Sequence, residues 1–105
     1  MISDSAKTKI AEWAVATQAV ACVWLFGSRA RGDHRDDSDF DFSIELMPKA
    51  GDTDWAFASY ISDINDWKTA LQAAVNGEVS VVAFRDDLPM KFEPRGVLLW
   101  SRRGQ

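Results

Sequence analysis

From Asp39 to Leu46 polar and apolar residues alternate without a break: Asp39, Asp41, Ser43 and Glu45 against Phe40, Phe42, Ile44 and Leu46. A repeat of two is that of a half-buried strand, so the four apolar residues predict its core face. Val20 to Phe26 is apolar throughout and rich in β-formers, the pattern of a central strand covered on both faces. Before it, Ile10, Trp13, Ala14 and Thr17 share one helical stripe, which predicts a first helix ending near Thr17 with Ser3 or Ser5 as its cap. A second helix is expected from about Thr53 to Val75, with Phe57, Tyr60, Ile61, Ile64, Trp67, Leu71 and Ala74 on its buried face and Asn76-Gly77 as its stop. Glu78 to Phe84 reads as a third strand, Asp86-Asp87-Leu88-Pro89 as a turn and Val97 to Trp100 as a short last strand. Helix, strand, strand, helix, strand, strand predicts a single α+β domain over residues 1–105, a small mixed sheet with helices on one face.

The chemistry concentrates where the first strand meets the second. Asp39 and Asp41 point the same way from one strand, their Cα atoms about 6.7 Å apart at a rise of roughly 3.3 Å per residue. Parallel carboxylates at that spacing repel unless a cation sits between them. Mg²⁺ suits the place, because it takes one or two protein carboxylates and leaves its other positions to water and phosphate oxygens. Gly27-Ser28 ends the buried strand, and a helix opening at Ser28 would turn backbone N–H groups and a hydroxyl outward together, as a phosphate cradle does. A phosphate cradle beside two cation-binding carboxylates predicts a nucleoside triphosphate site.

Gly-Ser, ten residues, then Asp-x-Asp bracketed by apolar positions resembles the signature of the polymerase-β-like nucleotidyltransferase superfamily. The nearest likeness is to its smallest members, the MNT or minimal nucleotidyltransferase proteins, through Gly27, Ser28, Ala30, Arg31, Gly32, Ser38, Asp39 and Asp41. The resemblance implies the nucleotidyltransferase fold. It implies Asp39 and Asp41 as catalytic metal ligands for Mg²⁺ or Mn²⁺, and Gly27, Ser28, Arg31 and Ser38 as nucleotide contacts, with ATP the expected nucleotide; Arg29, at the motif's variable position, is a further candidate to neutralise phosphate by its charge alone. It also implies a helical HEPN-type partner in a toxin–antitoxin pair, whose toxin this chain, as antitoxin, would modify with a nucleoside monophosphate. Read without the resemblance, Arg29 and Arg31 serve equally as helix-surface charges and Ser38 as a cap on the turn into the strand. His34, among Asp33, Arg35, Asp36 and Asp37, is given no role.

The superfamily carries a third acidic residue on a later strand. The matching segment here is Val79-Ser80-Val81-Val82, which puts Ser80 in the acidic place. Glu78 lies on the same strand face two residues earlier and is the alternative third ligand. Its side chain is about 1.5 Å longer than that of Asp, short of the roughly 6.7 Å displacement of its Cα. The reading here is that the third carboxylate is absent.

Composition narrows the classes. Twelve basic and sixteen acidic residues leave a net charge of −4, which disfavours holding a nucleic acid by charge. The one cysteine, Cys22, sits in an apolar run and is expected to be structural. No signal-peptide pattern or membrane-length apolar stretch is present, so a cytoplasmic protein is expected. Trp55 and Trp100 fall off the strong stripes and, if exposed, point to a protein partner. Three functions follow: nucleotidyl transfer to a hydroxyl supplied by a partner, a binding module on the same fold with impaired catalysis, or modification of a small molecule in the manner of aminoglycoside nucleotidyltransferases.

Overall fold

The computed structural model describes residues 2–27, 39–85, 87 and 96–102. Within them the chain runs α1 (Asp4–Ala16), β1 (Val20–Phe26), β2 (Phe40–Leu46), α2 (Trp55–Val75), β3 (Val79–Phe84) and β4 (Val97–Ser101). The strands form one sheet in the order β3-β2-β1-β4. β1 is antiparallel to β2 and to β4, whereas β3 runs parallel to β2 because α2 carries the chain back across the sheet. The α+β fold with a mixed sheet and helices on one face is therefore observed.

The alternation of β2 sets the layers. Phe42, Ile44 and Leu46 are buried against Val20, Val23 and Leu25 of β1 and against Ile10, Ala14, Trp67 and Leu71 of the helices. Burying one Leu, Ile or Phe side chain stabilises by about 1.5–3 kcal/mol, so this shared layer dominates the fold. The helical stripe of α2 differs from the expected one: Ala56, Trp67 and Leu71 are buried, while Phe57 and Ile61 are 38% and 59% exposed. At 100° per residue the last two lie on the flank of a stripe too wide to fit wholly against the sheet. The opposite sheet face is also not simply solvated, since Ser43 on β2 and Phe84 on β3 are both buried.

Caps fix the helix ends. The Oγ of Ser3 accepts from the Ala6 N–H at 3.1 Å, and Asp54 Oδ1 accepts from the Phe57 N–H at 3.3 Å. Asn76 closes α2 in the left-handed region, φ 55°. Two arginines tie distant elements together. Arg85, buried just after β3, donates to both carboxylate oxygens of Asp54 (2.9 and 2.8 Å), to Asp87 Oδ1 (2.6 Å) and to the Met47 carbonyl (3.1 Å). These bonds hold Asp54 and Asp87 below the usual carboxylate range and raise Arg85 above its own. Arg102 donates to the carbonyls of Val20, Ala14 and Thr17, closing the C-terminal end of α1. Its guanidinium lies 5.1 Å from the ring centre of Trp100, so Trp100 is half-covered from within the chain.

Candidate active site

The site lies on the sheet face away from the helices, at the end where β1 finishes and β2 begins. Phe26 pairs with Asp41 across the antiparallel ladder, and Asp41 pairs with Ser80 across the parallel one. One row of the sheet thus reads Phe26, Asp41, Ser80, and the next reads Trp24, Ser43, Val82. Asp41 and Ser80 are half-buried; Asp39, one residue before β2, is exposed. Because the neighbours Phe40 and Phe42 turn toward the helices, strand alternation sends Asp39 and Asp41 to this same face.

Gly27 closes the site from the β1 side. It leaves the strand with φ +74°, a left-handed conformation in which glycine carries no penalty. A β-carbon there would collide with Oδ2 of Asp41 and come within 3.1 Å of its Cγ. The Asp41 carboxylate therefore rests directly on the glycine turn, in space that every other residue type would fill. That contact joins the two halves of the motif, the turn and the carboxylate pair, in one place. Ser28, Arg29, Arg31, Ser38 and His34 lie outside the described residues.

The third position is also fixed. Ser80 stands level with Asp41 on the adjoining strand, at the usual interstrand spacing of about 4.8 Å. Glu78 is exposed, precedes β3, and its carbonyl accepts the Phe40 N–H at 3.0 Å, which sets it two residues before the Ser80 row. Among the described residues no three His, Cys, Asp or Glu side chains are gathered closely enough to hold a metal ion. The donor set fits one divalent cation held by two carboxylates, with a neutral hydroxyl where a third charge would stand. Sequence reasoning did not anticipate Trp24, whose indole N–H is buried on this face and finds no acceptor among the described residues. Tryptophan in an apolar run carries no signal of which way its ring will turn. Nor did it anticipate how Cys22 is held: its thiol lies 3.6 Å from the Ser101 hydroxyl, at the far end of β1 from the carboxylates.

Comparison with known proteins bears on the family and the fold. Residues 8–103 match the family model described as polymerase beta, nucleotidyltransferase. A crystal structure from Sulfolobus solfataricus, of a protein assigned as a nucleotidyltransferase, is similar over 94% of this chain and 79% of its own, with 25% identity and a TM-score of 0.57. The structure of a toxin–antitoxin with AMP-PNP is similar over 92% of this chain and 74% of its own, with 18% identity and a TM-score of 0.61. That second likeness is one of fold. A comparison with curated proteins found no match.

Proposed function

The chain belongs to the polymerase-β nucleotidyltransferase family, and from that premise we propose that it transfers a nucleoside monophosphate from a nucleoside triphosphate, ATP first, to a hydroxyl of a partner protein. The observation that carries the reading is the Asp41 carboxylate seated on the Gly27 turn, with Asp39 two residues before it on the same strand face. Asp39 and Asp41 would hold a Mg²⁺ or Mn²⁺ ion that neutralises phosphate charge when bound. Gly27 keeps the turn bare of side chain, so backbone can approach the phosphates. In the reaction the acceptor oxygen bonds to the α-phosphorus, the bond to the β-phosphate breaks, pyrophosphate leaves and the acceptor proton passes to a base.

On this reading the acceptor is brought by another molecule. The toxin–antitoxin neighbour, a complex that carries a nucleotide analogue, supports a partner of that kind, with a HEPN-type helical toxin as the candidate. No described helix is long and apolar enough to cross a membrane, in keeping with the proposed cytoplasmic setting.

A second reading has its own observation. Ser80 sits in register with Asp41, in the place where a carboxylate would complete a two-metal site and take the acceptor proton. On that reading the chain binds nucleotide and partner and turns over slowly or not at all. Incubation with Mg²⁺ and α-labelled ATP, with and without the candidate partner, separates the two. Label transferred to the partner establishes the first reading. Nucleotide binding without transfer establishes the second, and absence of nucleotide binding overturns both.

A further inference from the structure

On the other side of the sheet, the helices leave a groove of about 590 Å³ between the C-terminal end of α1 and one flank of α2. Its walls are aromatic: Trp13 from α1, and Trp55 and Trp67 from α2. Trp13 meets Trp67 edge-on with ring centres 5.8 Å apart, which fixes both rings. Ser59, Asp63 and Asp66 follow Trp55 along the same flank of α2, since steps of four, four and three residues keep them on one stripe. Both carboxylates are exposed at the groove and make no ion pair or hydrogen bond with any described residue. The aliphatic and aromatic floor would suit an apolar stem, and the carboxylates lack a cation among the described residues.

We infer that this groove is a docking site for a partner protein, which it grips through an arginine or lysine side chain laid against the partly exposed Trp13 and Trp55, with its charged end toward Asp63 and Asp66. Three observations select that occupant. Among the described residues the lining includes two acidic side chains and no basic one, which selects a cation. Partly exposed tryptophan rings, Trp13 and Trp55, share the groove with the carboxylates, and a guanidinium or ammonium gains from both ring and charge. The groove follows α2 from Trp55 to Ala70, about 22 Å at a rise of roughly 1.5 Å per residue, which matches a stretch of polypeptide and exceeds a compact small molecule. The overall charge of −4 adds attraction at longer range. The inference deepens the partner half of the proposed function, and it lies on the sheet face opposite Asp41, so the two can fail separately.

The test uses the intact chain without Mg²⁺ or nucleotide. Two ten-residue peptides are titrated by ¹H–¹⁵N NMR, one with a central arginine flanked by leucines and one with citrulline, its neutral isostere, in that place. The arginine peptide is expected to shift the indole signals of Trp13 and Trp55 and the backbone signals of Ser59 to Asp66. It should bind about tenfold more tightly than the citrulline peptide, and Asp63→Asn with Asp66→Asn should remove about that difference. Both positions are exposed, so the double variant keeps the fold, which its unperturbed spectrum verifies. Equal affinity for the two peptides, an unchanged affinity in the double variant, shifts confined to the Asp41 face, or spermine outcompeting the arginine peptide would each overturn the inference.

Discussion

Replacing Gly27 with alanine probes the join between turn and carboxylate with a single methyl group. Two costs follow. At φ +74° a β-carbon meets its own carbonyl, a penalty of about 1–2 kcal/mol. The same carbon also collides with Asp41 Oδ2, which lies at the tip of a short side chain and can swing aside by rotating χ1. The fold therefore survives, with the melting temperature lowered by about 5–15 °C for a chain of this size. The carboxylate, however, leaves the position from which it would share a cation with Asp39. A metal ligand displaced by one rotamer no longer coordinates, so Mg²⁺-dependent ATP binding should fall at least about tenfold. The assay pairs calorimetric titration of ATP, with and without Mg²⁺, with thermal unfolding of both proteins. Affinity within twofold of the parent, with the melting temperature lowered as expected, would refute the reasoning: the turn would then be a connection only.

The remaining predictions concern Ser80 and Arg85. Ser80→Asp places a third carboxylate in the Asp41 row, so the metal-free protein should lose stability and regain it with Mg²⁺, and transfer activity should rise, by about 10²–10⁴-fold if the new carboxylate acts as the base. If Glu78 already serves as third ligand, Ser80→Asp changes little and Glu78→Gln abolishes activity, so both variants belong in one assay. Arg85→Met should lower the melting temperature by about 5 °C at neutral pH, since it unpairs Asp54 and Asp87 at positions where water can reach them. Both carboxylates are held below their ordinary range, so their contribution is present above the unfolded-state value of about 3.9 and is lost as pH falls through the lower folded values. Melting curves between pH 2 and 6 should accordingly show a shallower acid loss in Arg85→Met than in the parent; parallel curves would contradict the assignment.

What the sequence conveyed and what it withheld divide along the range of the interactions. The Asp39–Leu46 alternation and the Asn76-Gly77 stop are local signals, and both elements stand where they were expected, within a residue or two. The Ser80 position followed from a motif, and the parallel register of β2 and β3 sets it beside Asp41. Except for Asp87, two residues from Arg85, the partners of Arg85 and Arg102 lie 31 to 88 residues away, and nothing in a neighbouring sequence marks an arginine for burial. Phe57 and Ile61 were assigned to the core because helical spacing alone cannot say where a wide apolar stripe meets its edge. Alternation places Ser43 on the polar face of β2, yet it is buried. Trp55 lies off the stripe, and its place in the lining of the groove gives it a physical setting.

The central claim is that Asp39 and Asp41 form a cation-dependent nucleotide site, and the most direct measurement is ATP affinity in the presence of Mg²⁺ for the parent and for Asp39→Asn with Asp41→Asn. The substitutions preserve shape and remove two like charges that repel each other when no cation is bound, so the variant should fold at least as stably as the parent. The account predicts that Mg²⁺-dependent binding disappears while the melting temperature is unchanged or slightly raised. Equal affinities in a folded variant would contradict it.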